Sequence, residues 1–116
     1  ASGQGSFFGE HRIEGKVGRD VTLEDARLGA RYCMLNTLAV LEEYLGDLNR
    51  IQRVVKLLAF VSSDDGFYQQ PAVVNGASQL LLDLWGEQGR HARSAIAVNT
   101  LPSNLSVEIE AIFTLK

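Results

Sequence analysis

The sequence is short of cysteine, histidine and positive charge, and each shortage removes a class of function. Cys33 is the only cysteine, so no disulfide can form within the chain. Set in the apolar helical pattern RYCMLNTL, it reads as a buried thiol of a reducing, cytoplasmic setting rather than a reactive group. His11 and His91 are the only histidines. Neither belongs to an i, i+4 pair or lies near Cys33, so no metal site is expected. Eleven Lys and Arg stand against fourteen Asp and Glu, a formal charge of -3, which leaves no broad phosphate-binding surface and makes nucleic acid an unexpected partner. No stretch approaches the roughly 18 consecutive apolar residues of a membrane span, and the opening ASGQGSFFGEHR lacks the basic and then apolar layout of a signal peptide.

What is present suits one globular domain. The 116 residues are 46% apolar and 22% charged, enough for one core and close to globular averages. The chain opens without methionine, on residues that read like the inside of a strand or loop, so it is expected to be trimmed or to continue upstream.

Periodicity divides the chain into elements. Five glycines in the first twenty residues (Gly3, Gly5, Gly9, Gly15 and Gly18) surround short apolar pieces, which predicts a short strand near Ser2 to Phe8 and a weaker one near Arg12 to Lys16. Leu23, Ala26, Ala30, Met34, Leu38, Leu41 and Leu45 then fall at spacings of three and four, predicting an amphipathic helix. Thr22 is its expected N-cap with Asp25 as a weak capping-box partner, and Gly46 ends it. NRIQRVVKLLAFVSS predicts a largely buried strand, and DDGFYQQ a turn. Pro71 opens a second helix with Val73, Val74, Ala77, Leu80, Leu81, Leu84 and Trp85 on its apolar stripe, closed by Gly86 and Gly89. ARSAIAVNTL reads as a strand and PSN as a turn. LSVEIEAIFTLK is a strand of strict alternation, with Leu105, Val107, Ile109, Ala111, Phe113 and Leu115 on one face.

The order β, weak β, α, β, α, β, β predicts an α+β fold in which two helices cover one face of a mixed sheet. The other face carries Glu108, Glu110 and Ile112, too apolar for open solvent and too charged for a dry core. A subunit interface with polar clefts is the expected cover.

Few constellations offer chemistry. GQGSFFG begins like a phosphate loop but has no strand before it and no Lys-Ser/Thr. Ser2 and Ser94 have no local triad pattern. Arg93 and Glu108 are stronger candidates. An arginine at the start of a buried strand offers planar bidentate binding to a small carboxylate, and Glu108, facing away from the helices, could act on a water as general base or orienting group. Spacing alone favours a structural ion pair across a hairpin, since such pairs are common and weak. Asn75 equally suits a bond within a helix start, and Arg90 and His91 read as complements to the C-terminal end of the second helix, outside any site.

VVNGASQLLLDLWGEQGRHARSAIAVNTLPSNLSVEIEAIF resembles the C-terminal half of the Rid family, the reactive intermediate deaminases, also called YjgF-like or L-PSP endoribonuclease-like proteins. The pattern that carries the resemblance is Ala92, Arg93, Leu101, Pro102, Val107, Glu108, Ile109 and Glu110, similar to a branch ending GRHARSAVGV...LP...VEVEAI. ASGQGSFFGE resembles the family's Ser-Gly-Gln strand, and the stretch from GKVGRD to LLAFV resembles the helix and strand after it, so nearly the whole chain is covered. The resemblance implies a chorismate-mutase-like (YjgF-like) fold assembled as a homotrimer, residues 1–116 forming one domain without the family's first strand and its cleft tyrosine. It also implies cofactor-free hydrolysis of 2-imino and enamine acids, by-products of pyridoxal-phosphate enzymes, to 2-oxo acids and ammonia at intersubunit clefts. By the same resemblance Arg93 binds the substrate carboxylate, Glu108 positions water, and Asn75 and Ser2 contact substrate. The position two after the arginine, often cysteine in the family, is Ala95 here. A module that binds small carboxylates without turnover is the alternative function. A ribonuclease is disfavoured by the negative charge and the lack of a histidine pair.

Overall fold

The computed structural model describes residues 1–116. Two long helices, α1 (Leu23–Leu45) and α2 (Gln70–Trp85), pack on one face of a sheet built from β1 (Gln4–Gly5), β4 (Ile51–Ser62), β5 (Ala92–Val98) and β6 (Val107–Leu115). Between β1 and α1, β2 (Phe7–Phe8) and β3 (His11–Arg12) form a separate small hairpin. This is the expected α+β architecture. The sheet order is β1-β6-β4-β5; β4 and β5 are parallel and the other pairs antiparallel, so the sheet is mixed. No helix is long and apolar enough to cross a membrane.

Local chemistry sets the helix ends. Thr22 Oγ1 accepts from the Asp25 amide at 3.1 Å, and Gly46 ends α1 at φ 83°, a left-handed conformation that glycine adopts without a Cβ penalty. Pro71 occupies the first turn of α2, where a missing N–H costs nothing. Where the helices cross, a Cβ on Gly76 would stand 2.0 Å from the Arg27 carbonyl oxygen. Only glycine permits that approach.

The core lies between helices and sheet. Ala26, Ala30, Cys33, Met34 and Leu38 of α1 and Val73, Val74, Ala77 and Leu81 of α2 meet Val54, Leu57, Ala59 and Val61 of β4 and Val107, Ile109 and Ala111 of β6. Cys33 is fully buried and its Sγ donates to the Val107 carbonyl at 3.5 Å. Burial raises its thiol pKa, and the Glu108 charge raises it further. That is an inert thiol, as its apolar setting predicts.

Two expectations need correction. The strand expected near Ser2 to Phe8 is broken at Ser6. The fully buried Ser6 hydroxyl donates to the Ile13 carbonyl and accepts from the Ser106 and Val107 amides, and these bonds draw the chain inward between β1 and β2. More consequentially, β5 and β6 are not a hairpin. After α2 the chain returns parallel to β4 on its outer side, so β6 pairs with the opposite edge of β4. An Arg93–Glu108 ion pair across adjacent strands is therefore excluded by topology.

Candidate functional site

The register of the sheet decides where each candidate side chain points. In a parallel pair, residues side by side share a face. Arg93 lies beside Leu57, which is fully buried under the helices, so Arg93 faces α2. Glu108 lies beside Phe60, between Val107 and Ile109, both buried in the core. Alternation sends Glu108 to the opposite face. One chain thus holds its two strongest candidates on two sides of one sheet.

The first group gathers between α2 and β5. Arg93 is half-buried, and its Nη1 donates to Ser78 Oγ at 3.1 Å. It has no carboxylate partner: the ion pairs are Arg12–Glu14, Arg19–Asp20, Arg27–Glu24 and Arg90–Glu87. Asn75 is exposed one helical turn before Ser78, and both line a cleft of about 350 Å³ with Leu82, Arg90, His91 and Arg93. No acidic side chain lines that cleft. A cation removed from bulk water without a counter-ion favours an anionic ligand.

The second group lies at the β1/β6 edge. Glu108 is half-buried and also unpaired. A Cβ on Gly3 would come 2.8 Å from its Oε2, so the bare backbone of Gly3 makes room for the carboxylate. Ser2, exposed, is the adjoining residue. The Ser6 bonds to Ser106 and Val107, with Ser106 Oγ donating to the Gly15 carbonyl at 2.7 Å, tie this segment to the start of β6.

Around Glu108 the second sheet face is incompletely covered. Leu58 and Phe60 are half-buried, while Ile96 is 46% and Ile112 58% exposed, and Lys56 Nζ donates to Ser94 Oγ across the same face. This is the apolar and charged mixture that alternation predicts. Ser94 is thereby placed away from the Arg93 cleft.

Two participants differ from the sequence reading. His91 belongs to the Arg93 cleft: its Nε2 is 2.8 Å from Ser78 Oγ and its Nδ1 2.7 Å from the Gly89 carbonyl oxygen. Arg90 borders the same cleft and pairs with Glu87 at 3.3 Å. The expected role of both as complements to the end of α2 fails because a short turn, Gly86–Gly89, separates them from the helix. Ser78 carries no signal in the sequence beyond its place one helical turn after Asn75.

The sequence model described as "YjgF/chorismate_mutase-like, putative endoribonuclease" matches residues 1–114 of the chain. The chain belongs to the YjgF/Rid family. Among solved structures of similar fold, protein Atu1372 of Agrobacterium tumefaciens is 45% identical, with a TM-score of 0.97 over 100% of this chain and 74% of that one. RidA from the Antarctic bacterium Psychrobacter sp. PAMC 21119 is 27% identical, with a TM-score of 0.63 over 98% and 77% of the two chains. Protein TCP17 of Trypanosoma cruzi is 43% identical over 104 residues, which are 89% of this chain and 65% of that protein. The chain therefore spans just under two thirds of the length of that curated relative. Across the family match, the Arg93–Asn75 group and the Glu108–Gly3 group both fall inside the matched residues.

Proposed function

We propose that this chain hydrolyses 2-imino and enamine acids to 2-oxo acids and ammonia, without a cofactor, in clefts between the copies of a homotrimer. The observation that carries this reading is the half-buried, unpaired Arg93 guanidinium in a cleft with no acidic lining. Nη1 is engaged by Ser78, which leaves other N–H groups of the fork to hold a substrate carboxylate. Asn75 stands beside it as a further polar contact.

Glu108 supplies the second function from a neighbouring copy, because within one chain it faces away from Arg93. Held with Ser2 and Gly3, it orients a water and accepts its proton as the water oxygen bonds to C2. The π pair of C=N moves to nitrogen, which takes that proton; as the tetrahedral carbinolamine collapses, its hydroxyl loses a proton, its nitrogen gains one and the C–N bond breaks, releasing ammonia and the 2-oxo acid. An imine carbon is already electrophilic, so orientation of carboxylate and water is the main demand on the protein. The partly exposed Leu58, Phe60, Ile96 and Ile112 give the assembled trimer its apolar contact. We place this activity in the cytoplasm, beside the enzymes whose by-products it would clear.

The separation of Arg93 and Glu108 favours one other reading: a module that binds small carboxylates through Arg93 with no turnover. Ammonia release from an imino acid generated in situ by an amino-acid oxidase separates the two. Acceleration by the wild type, abolished in Arg93→Ala, supports the hydrolase; saturable 2-oxo acid binding with no acceleration across several amino acids supports the binding module.

A further inference from the structure

The Arg93 cleft contains a hydrogen-bond chain whose direction is fixed by its far end. The Gly89 carbonyl oxygen, 2.7 Å from His91 Nδ1, can only accept, so Nδ1 carries the proton. In the neutral imidazole Nε2 is then bare and accepts the Ser78 hydroxyl proton across 2.8 Å. Ser78 Oγ in turn accepts from Arg93 Nη1 at 3.1 Å. One lone pair of Ser78 Oγ remains uncommitted, inside the cleft that Asn75, Leu82 and Arg90 complete.

We propose that Ser78 and His91 recognise a hydrogen-bond donor on C2 of an Arg93-bound carboxylate, and so select 2-imino acids over plain carboxylic acids. The proposal rests on the function given above and names the residues that set its substrate class. A carboxylate on the open edge of the Arg93 fork brings C2 and its substituent beside the hydroxyl that the same guanidinium already holds. An imine N–H donates into the free lone pair of Ser78, a bond that leaves the Ser78–His91 contact intact. A 2-oxo oxygen can only accept, so it binds only when the Ser78 proton swings away from His91, one bond made for one lost. A plain carboxylate offers neither bond. Ala95 adds no polar atom to this group, which leaves the selection to α2 and His91.

The test measures binding of lactate, whose C2 hydroxyl donates as an imine N–H does, and propionate, which has no polar group at C2, to the intact protein by calorimetry or ligand-observed NMR. The wild type is expected to prefer lactate by about five- to tenfold, the value of one net hydrogen bond. Ser78→Ala is expected to bring that ratio close to one while holding propionate nearly as well as the wild type, and Ser78→Thr to restore it. His91→Ala, which frees the Ser78 proton, is expected to bind pyruvate more tightly than the wild type does, and the absence of that gain overturns the part given to His91. Arg93→Ala is expected to lose both ligands. A wild-type preference that survives Ser78→Ala, or equal loss of both ligands in that variant, overturns the role of Ser78 and His91 and leaves the Arg93 reading standing. A wild type that binds both ligands equally overturns it in the same way. A wild type that binds neither overturns the Arg93 reading, and this inference with it.

Discussion

Arg93 and Glu108 lie on opposite faces of the same sheet, with β4 between the strands that carry them. Each is half-buried and neither has an ionic partner within the chain. Two unpaired charges held this way are costly to a monomer whose cleft and open face stay empty. Both find a use if the Glu108 face of one copy meets the Arg93 cleft of the next, Arg93 on a substrate carboxylate and Glu108 on a water.

Arg93→Ala should lower kcat/KM for imino-acid hydrolysis by about two orders of magnitude or more, since two charge-assisted hydrogen bonds to the substrate are lost. Its melting temperature should stay near that of the wild type, because Arg93 neutralises no buried carboxylate. Thermal unfolding and initial rates on one preparation check both halves.

Gly3→Ala places a methyl 2.8 Å from Glu108 Oε2. The carboxylate is the free end of a flexible side chain and can move aside, so stability should change by less than about 0.5 kcal/mol. A water oriented by Glu108, as proposed, should move with it. A fall in kcat with a nearly unchanged KM is the expected kinetic result.

Gly76→Ala has the reverse profile. Its Cβ would meet the Arg27 backbone carbonyl at 2.0 Å, a neighbour that cannot swing aside, and α1 and α2 must separate to admit it. A loss of about 1–3 kcal/mol in urea unfolding is expected.

Cys33 gives a signed pH dependence. Burial, and then the Glu108 charge, hold its folded-state pKa above that of the free thiol, so its contribution is complete below about pH 8.5 and declines as pH rises above it, when the unfolded thiol ionises first. The wild type should lose stability relative to Cys33→Ala between about pH 8.5 and 10. A thiol reagent should react with the native protein only after denaturant is added. Urea unfolding of both proteins across this range, with a thiol titration, provides the check.

The legible parts of the fold were those fixed by neighbours in the chain. The caps at Thr22 and Gly46, the stripe of α2 and the alternation of Val107, Ile109 and Ala111 against Glu108 all follow from local period and end chemistry. Strand order did not, because a strand's partner is set by where a crossover returns it. ARSAIAV and VEIEAIFTL look alike whether they pair with each other or flank β4. The candidate site divides along the same line. Arg93, Glu108, Asn75 and Ser2 stand out by residue type and by family resemblance. The Ser78–His91 bond joins an apolar helix to a turn beyond it, and no spacing along the chain announces it. The break at Ser6 was hidden for the same reason, since its partners Ser106 and Val107 are a hundred residues away.

The central claim is that one copy supplies Arg93 and its neighbour Glu108, and subunit mixing tests it most directly. Arg93→Ala and Glu108→Gln chains, each inactive alone, are unfolded together at equal ratio and allowed to reassemble. If every cleft joins the Arg93 group of one chain to the Glu108 group of the next, random cyclic trimers leave about one cleft in four intact, so about a quarter of wild-type activity returns. If both residues serve the same cleft from one chain, every cleft lacks one of them, and a mixture no more active than its two components contradicts the account.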